Sequence, residues 1–295
     1  MKNIAVIGSG TMGNGIAHVF AQYGFQVKLV DISEQALQKA LATIGKNMER
    51  QVSKGTLTAE DATQAISRIT TQTSIDAGLS QCDLVVEAAS ENEKIKFDIF
   101  RQLDQVCQPS CILASNTSSI SITRIAAETG RPDKVIGMHF MNPVPVMKLV
   151  EIINGYSTSA ETSASIASLS KQLEKIPVVV NDYPGFVANK ILMPMINEAI
   201  ITLHEGVAGV EEIDTVMKLG MAHPMGPLQL ADFIGLDVCL SILRVLQDGF
   251  GNPKYAPSPL LVNMVTAKQL GVKSGIGFYD YSEGVKSAKV AASFL

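Results

Sequence analysis

The sequence of 295 residues lacks tryptophan altogether, contains few cysteines and carries no strong charge of either sign. The absence of Trp excludes a binding platform made of indole rings. Its four cysteines include no CxxC pair and are too few for a disulfide scaffold or a zinc knuckle, so we expect buried thiols in a reducing cytoplasm and no metal site. The 24 basic and 28 acidic side chains give a net charge of −4, which provides no general attraction for nucleic acid or an anionic membrane.

Long apolar runs are absent as well. No uncharged stretch approaches the roughly 18 residues that a spanning helix needs, so we expect no membrane segment. Strand-like residues start at Asn3, which leaves no room for a secretory signal, and we expect the mature chain to begin here. With 46% hydrophobic and 18% charged residues the chain can nevertheless bury a large core, and its length predicts about two domains.

Over residues 3–181, short β-branched apolar runs alternate with longer segments of helical period. This alternation is typical of an α/β fold with a parallel sheet. The predicted strands are 3–7, 26–30, 69–73, 84–87, 111–115, 135–139, 149–153 and 177–180. Between the second and third strands, apolar spacings of three and four predict a long amphipathic helix over 34–53. Thr58 and Asp61 have the spacing of a capping box and predict a second helix after it.

The strand rhythm stops after Tyr183, and apolar helical patterns run through 186–204, 211–219 and 226–247. We therefore predict two domains, 1–183 and an all-helical domain over 184–295. Its first helix is apolar on most of its circumference over 186–203, which requires burial in its own domain or against a partner. Because about 100 residues offer little interior, we expect this helix to lie partly in a homodimer interface.

A glycine motif, GSGTMG, follows the first predicted strand and leads directly into a helix. Its first glycine permits a tight turn, the second lets the backbone approach a pyrophosphate, and the third lets helix and strand pack closely. The diphosphate then meets the free N–H groups of the helix N-terminus. This context predicts a Rossmann-type doubly wound sheet of about eight strands with a bound dinucleotide. The predicted contacts are Gly8, Gly10, Thr11, Met12, Gly13 and Asp31.

Asp31 ends the second predicted strand, where a carboxylate can accept from the adenosine ribose hydroxyls. The same carboxylate would face the 2′-phosphate of NADP, and the two residues after it supply no compensating arginine. NAD is therefore the expected cofactor. The alternative is a glycine turn beside an unrelated surface Asp.

His139 ends the sixth predicted strand, at the edge of the sheet where ligands bind in such folds. Imidazole titrates near neutral pH, which suits proton exchange with an alcohol that loses hydride. Glu151 interrupts a strand that is otherwise apolar, and an unpaired carboxylate there would cost on the order of several kcal/mol. We expect Glu151 to pair with His139 and fix its tautomer. The alternatives are a structural His139 and an ion pair between Glu151 and a lysine.

Three further polar residues are ambiguous by spacing. Ser118 and Asn116 follow the fifth predicted strand, where a turn and an N-cap for a helix near 121–129 explain them better than a site. Asn189 lies near the start of the second domain's first helix. It either faces solvent or donates to a substrate carbonyl and the oxyanion-like oxygen of the transition state.

Six segments beyond the glycine loop carry a resemblance that covers the chain to about Tyr281. They are LVVEAA (84–89), ILASNTSS (112–119), GMHFMNP (137–143), PGFVAN (184–189), HPMGP (223–227) and KSGIGFY (273–279). Together they resemble the L-3-hydroxyacyl-CoA dehydrogenase family, most closely its short bacterial 3-hydroxybutyryl-CoA dehydrogenases. The resemblance implies reversible NAD-dependent oxidation of a short-chain L-3-hydroxyacyl-CoA to the 3-oxoacyl-CoA.

The resemblance also implies roles for individual residues. His139 would be the general acid/base, Glu151 would orient it, and Ser118 and Asn189 would bind the reacting oxygen of the substrate. The implied contacts to the nicotinamide half of the cofactor are Glu91, Lys96, Asn116, Asn142 and Lys273. The implied contacts to coenzyme A phosphate are Arg50 and Lys54, which without the family would form an ordinary solvated helix face.

Two other functions fit parts of the pattern. A dehydrogenase of a small free hydroxy acid or sugar acid would need a basic side chain beside His139, for which Lys148 is nearest in sequence. A non-catalytic NAD-binding protein would keep the fold without turnover.

Overall fold

The computed structural model describes all of residues 1–295, which divide into two compact units, Met1–Tyr183 and Pro184–Leu295. The first unit contains one sheet of eight strands. They are β1 (Asn3–Ile7), β2 (Gln26–Val30), β3 (Ile69–Gln72), β4 (Leu84–Glu87), β5 (Ile112–Ser115), β6 (Val135–Phe140), β7 (Leu149–Asn154) and β8 (Ile176–Asn181). Their order is β3-β2-β1-β4-β5-β6-β7-β8, which is the doubly wound arrangement predicted from the sequence.

One pair of strands departs from the predicted parallel sheet. β6 and β7 run antiparallel, whereas every other neighbouring pair is parallel. The connection between them, residues 141–148, is shorter than the dozen or so residues that a parallel crossover needs. The chain therefore turns back on itself here, directly after His139 and before Glu151.

The helices of the first unit cover both faces of the sheet. They are α1 (Thr11–Gln22), α2 (Glu34–Ser53), α3 (Ala59–Ser67), α4 (Glu93–Val106), α5 (Ile122–Ala126) and α6 (Ala160–Gln172). α2 has the predicted bounds because the Ser33 side chain caps its N-terminus and Leu37, Ile44 and Met48 form a buried stripe. α5 is shorter than the predicted helix over 121–129 and is capped by Ser121, so Ser118 is not its N-cap.

The second unit is helical, with one short ribbon of two strands. Its elements are α7 (Ala188–His204), α8 (Val210–Thr215), a π-helical turn (Val216–Gly220), α9 (Pro227–Ile234), α10 (Leu236–Phe250), α11 (Pro259–Thr266), β9 (Tyr279–Asp280) and β10 (Lys289–Val290). α7 begins after the predicted position 186 because Phe186 has a φ of 51°, outside the helical region. The predicted helical segment 226–247 is broken at Gly235, whose φ is 101°.

Helix α7 buries Met193, Ile196 and Ile200 inside its own unit. Ile191 is 67% exposed, so the apolar surface expected around the whole helix is not covered within this chain. No helix of the fold has both the length and the apolar character needed to cross a membrane. All four cysteines are buried free thiols, as predicted.

Candidate active site

The glycine motif forms the turn between β1 and α1. A Cβ on Gly8, whose φ is 95°, would lie 2.7 Å from the carbonyl oxygen of Ala88, and a Cβ on Gly13 would lie 1.8 Å from that of Gly8. Gly10 has no atom within 4 Å of its Cβ position, so space is open beside it. α1 has neither a capping side chain nor an acidic residue in its first turn. Its N-terminal N–H groups therefore remain available to the diphosphate of a dinucleotide.

Asp31 lies directly after β2 and contacts this turn. Its carboxylate accepts from the backbone N–H and the hydroxyl of Ser9, at 2.8 and 2.7 Å, and from the N–H of Ser33 at 3.1 Å. Burial acts to raise the pKa of Asp31, but these hydrogen bonds outweigh it and hold the pKa below its usual value. Asp31 is therefore ionised at neutral pH. An ionised carboxylate at this place fits the ribose of NAD and opposes a 2′-phosphate.

A cavity of about 520 Å³ adjoins the glycine turn. Its walls come from the start of α1, from one face of α2 and from the loop after β6, which contributes Asn142. Three polar residues of α2 that the sequence analysis did not select, Lys39, Thr43 and Asn47, line it. Spacings of three and four place them on the same side of the helix as the predicted Arg50 and Lys54, both exposed, and this periodicity could have identified them.

His139 and Glu151 meet as expected. They are register partners on β6 and β7, and His139 Nδ1 lies 2.8 Å from Glu151 Oε2. Both side chains are buried. Paired residues of antiparallel strands project to the same face, so the turn over 141–148 is what brings the two side chains together. The alternative ion pair is not formed with Lys148, whose ammonium lies 4.0 Å from Glu174.

Ser118 extends this pair into a chain of three side chains. Its hydroxyl oxygen lies 2.9 Å from His139 Nε2. An ionised Glu151 can only accept, so the neutral ring carries its proton on Nδ1, and Nε2 accepts from the hydroxyl. This arrangement leaves Nε2 basic and directed at a hydroxyl oxygen, as a general base for an alcohol requires. It also gives Ser118 a place in the site that spacing alone did not favour.

Glu91 fixes the loop that carries Ser118. Its carboxylate accepts from the backbone N–H groups of Ser118 and Ser119, at 3.1 and 3.2 Å. Its other oxygen lies 3.3 Å from the ammonium of Lys96. Burial acts to raise the pKa of Glu91, but Lys96 and the hydroxyl donors of the loop hold it below its usual value. Glu91 is thus an ionised anchor for the serine loop.

Lys96 is itself 1% exposed and also contacts Glu87, at 2.7 Å. Glu87 ends β4 and accepts from the Ser115 hydroxyl at the end of β5, at 2.6 Å. No role was predicted for Glu87, although a carboxylate in a buried strand is the same signal that indicated Glu151. Asn116 accepts from the backbone N–H of Phe140 at 2.9 Å and so joins the ends of β5 and β6.

Asn189 and Lys273 belong to the second unit. Asn189 lies in the first turn of α7 and is half-buried. Lys273 forms an ion pair with Asp237 of α10. Their expected contacts with substrate and cofactor stay predictions.

A dinucleotide-binding turn and a histidine–carboxylate pair at the carboxyl edge of a doubly wound sheet define the class of NAD-dependent dehydrogenases. Residues 3–183 match the NAD binding domain of 3-hydroxyacyl-CoA dehydrogenase, and residues 185–281 match the C-terminal domain of the same enzyme. The chain therefore belongs to the 3-hydroxyacyl-CoA dehydrogenase family. The predicted family, fold class and NAD cofactor are confirmed.

Individual relatives cover nearly the whole chain. A probable 3-hydroxybutyryl-CoA dehydrogenase of Bacillus subtilis is 53% identical over 96% of this chain and 98% of its own length. The 3-hydroxybutyryl-CoA dehydrogenase of Bradyrhizobium diazoefficiens is 54% identical over 95% of this chain and 96% of its own. The crystal structure of (S)-3-hydroxybutyryl-CoA dehydrogenase from Ralstonia eutropha superimposes with a TM-score of 0.93 at 51% identity, covering 96% of this chain and 99% of that one.

Proposed function

We propose that this dehydrogenase catalyses the reversible oxidation of short-chain L-3-hydroxyacyl-CoA, above all 3-hydroxybutyryl-CoA, to the 3-oxoacyl-CoA. The substrates named for its relatives support this choice. The observation that carries the proposal is the chain of hydrogen bonds from Glu151 through His139 to Ser118. It ends at a basic ring nitrogen with a hydroxyl 2.9 Å away. A substrate hydroxyl placed beside these two groups can contact both.

In the proposed reaction, His139 Nε2 takes the proton of the substrate 3-hydroxyl. NAD, when bound, supplies the hydride acceptor for C3 of the substrate. Glu151 stabilises the imidazolium that His139 becomes, and the Ser118 hydroxyl holds the reacting oxygen. Asn189 donates a second hydrogen bond to that oxygen. The products are the 3-oxoacyl-CoA, NADH and the proton that His139 releases to water.

The proposed cofactor contacts form two groups, one for each half of NAD. The turn residues Gly8, Gly10, Thr11, Met12 and Gly13 hold the diphosphate, and Asp31 holds the adenosine ribose. Glu91, Asn116, Asn142 and Lys273 hold the nicotinamide half. Because Lys96 is buried between two carboxylates, its part is to keep Glu91 ionised, and Glu91 makes the direct contact.

The coenzyme A part of the substrate lies along α2 in this proposal. The helix presents Lys39, Thr43 and Asn47 to the cavity, and the exposed Arg50 and Lys54 follow on the same side. Two cations near the end of the helix suit the phosphates of coenzyme A.

The two units take separate roles in this proposal. Residues 1–183 form the dinucleotide-binding domain, and 184–295 form the helical domain for substrate and dimerisation. The exposed Ile191 of α7 supports a homodimer through the second unit, because a large apolar side chain gains from being covered. The free cysteines support a cytoplasmic location.

The variant His139→Ala tests the proposed catalytic group. Positioned proton transfer contributes about 10²–10⁴ in rate, so the variant should oxidise NADH with acetoacetyl-CoA slower by at least that factor. NADH binding, measured by its fluorescence, should be retained. Near-parental turnover of this variant would remove His139 from the mechanism.

The alternative of a free hydroxy acid is tested with the parental enzyme. That substrate needs a cation beside His139, and the nearest candidate in sequence, Lys148, is exposed and lies beside Glu174. We expect NADH oxidation with acetoacetyl-CoA and none with free acetoacetate. Oxidation with the free acid alone would favour the alternative, and no oxidation with either would favour a non-catalytic NAD-binding protein.

A further inference from the structure

Lys175 is a buried cation that the proposed mechanism does not use. It lies immediately before β8 and is 6% exposed. Its ammonium donates to the backbone carbonyl oxygens of Val144 and Met147, at 2.6 and 2.8 Å. It forms no ion pair with a carboxylate. Burying an ammonium without an anion is costly, so an apolar residue would serve a purely structural position better.

Both carbonyl groups belong to the loop over 141–148 that joins β6 to β7. Pro143 and Pro145 have no N–H group, so this loop has more backbone acceptors than donors. The N–H groups of Val146 and Met147 both donate to the carbonyl oxygen of Pro143. A single ammonium, which has three protons, supplies the donors that the loop lacks.

The same loop forms a wall of the cavity beside the glycine turn. Asn142, Pro143, Val144 and Pro145 all line it. Val144 packs against α1 at Gly15, where an added Cβ would lie 2.9 Å from the Val144 Cβ. The loop therefore connects three features of the site: the helix that starts at the glycine turn, the cavity wall, and the two strands that carry the catalytic pair.

We propose that Lys175 is a positioning residue for the dehydrogenase reaction, whose protonated ammonium holds the loop over 141–148 in the conformation that binds the dinucleotide. This inference rests on the proposed function. It predicts that Lys175 acts on cofactor binding, and so on KM for NADH, because the loop that it touches lines the cavity beside Gly10 and Asp31. The wall of the cavity loosens when the two hydrogen bonds weaken.

The charges around Lys175 make this contact sensitive to pH. Burial, with a smaller contribution from the like charge of Lys148, lowers the pKa of Lys175 to about 8. His18 of α1 lies nearby, and burial together with the Lys175 charge lowers the pKa of His18. Glu174 is engaged by Lys148, at 4.0 Å, and by the hydroxyl of Tyr23, at 2.9 Å. The ammonium is therefore largely present at pH 7 and is lost as the pH rises through about 8.

A neutral amine donates weaker hydrogen bonds than an ammonium. We therefore expect KM for NADH to rise above about pH 8 in the parental enzyme, with a smaller change in kcat.

The test compares Lys175→Met, Lys175→Arg and Lys148→Met. Lys175→Met should raise KM for NADH, at saturating acetoacetyl-CoA, about tenfold at pH 7, change kcat by less than about threefold, and remove the alkaline rise. Lys175→Arg should recover part of the affinity and also lack the rise, because a guanidinium stays charged. Lys148→Met should keep the parental KM at pH 7 and move the rise to higher pH, because it removes a like charge.

A Lys175→Met enzyme with the parental KM and pH profile would overturn the inference. If that variant does not fold, as judged by circular dichroism, an alkaline rise unmoved in Lys148→Met would overturn it instead. A parental enzyme that does not turn over acetoacetyl-CoA would contradict the proposed function, whereas a parental enzyme that does, with unaltered variants, contradicts only the role of Lys175.

Discussion

The buried carboxylates of the first unit contact cationic or basic side chains, whereas those of the second are held by neutral donors. Glu87 contacts Lys96, and Glu151 contacts His139. In the second unit, Asp214 accepts from the N–H groups of Leu228 and Gln229 and from the hydroxyl of Tyr279.

Asp232 of the second unit accepts in the same way from the N–H groups of Phe278 and Tyr279 and from the hydroxyl of Tyr281. Burial raises the pKa of Asp232 to about 6, and its hydrogen bonds offset part of this effect. A carboxylate beside a base can take part in proton transfer, but one enclosed by N–H and O–H donors ties segments of backbone together.

This difference between the two units explains the glycines in two of the segments that carry the family resemblance. A Cβ on Gly226 would lie 2.1 Å from the Asp214 side chain, and a Cβ on Gly277 would lie 1.9 Å from that of Asp232. Gly226 of HPMGP and Gly277 of KSGIGFY therefore make room for the two buried aspartates. These two glycines serve the fold of the second unit, whereas GMHFMNP contains the histidine that contacts Glu151.

The largest effect on stability is expected on removing Lys96, the cation that contacts Glu87. Lys96→Met leaves Glu87 buried without its partner and should lower the free energy of unfolding by about 3–5 kcal/mol, measured by urea denaturation. The exposed Lys94→Met on the same helix is the matched control. Adding Glu87→Gln to Lys96→Met should recover part of the loss. If the Lys96 and Lys94 variants are equally stable, Glu87 does not depend on its cation, and the contrast between the two units is wrong.

Glu151→Gln tests whether the second pair of the first unit serves chemistry. The amide keeps the shape but not the charge that stabilises the imidazolium, so kcat should fall about a hundredfold or more while the unfolding curve stays close to the parental one. Measuring kcat against pH for this variant and for the exposed Lys148→Gln separates the two roles. An unchanged pH–rate profile would show that Glu151 is structural, like Asp232.

Asp232→Asn should show the smallest change with pH, and one confined to stability. The folded state binds a proton at Asp232 with a pKa of about 6. In the unfolded state the pKa of this carboxyl is roughly 3.9. Proton binding at Asp232 therefore contributes to the stability of the folded state fully below pH 4, and this contribution is lost as the pH rises through 6. Relative to the Asn variant, the parental protein should gain about 1 kcal/mol of stability between pH 7 and pH 5. The measurement is urea denaturation at both pH values, and a constant difference would contradict the role assigned to burial.

Features that depend on neighbours in the chain were predicted well. The bounds of β1, β2, β4 and α2 agree with the apolar patterns that predicted them. The glycine turn was equally accessible, because its three glycines have a fixed spacing directly after one strand and at the start of one helix.

Features that depend on distant parts of the chain were predicted less well. Spacing alone favoured Ser118 as part of a turn and cap. Its contact with His139 could not be predicted in this way, because it joins the loop after β5 to β6. Gly235 interrupts the predicted helical segment 226–247, although the apolar pattern continues across it. Lys175 gave no signal at all, because an isolated lysine before a strand is ordinarily a solvated one.

The sequence by itself determined the class of fold, the dinucleotide turn, the acid after β2 and the two candidates His139 and Glu151, because hydrophobic period and motif spacing are local properties. Only the tertiary structure decided that β7 runs against β6 and places Glu151 opposite His139. It also decided that Glu91 anchors the loop of Ser118 and that Lys175 reaches the loop over 141–148. Such contacts depend on strand order and register, which follow from how the whole core packs.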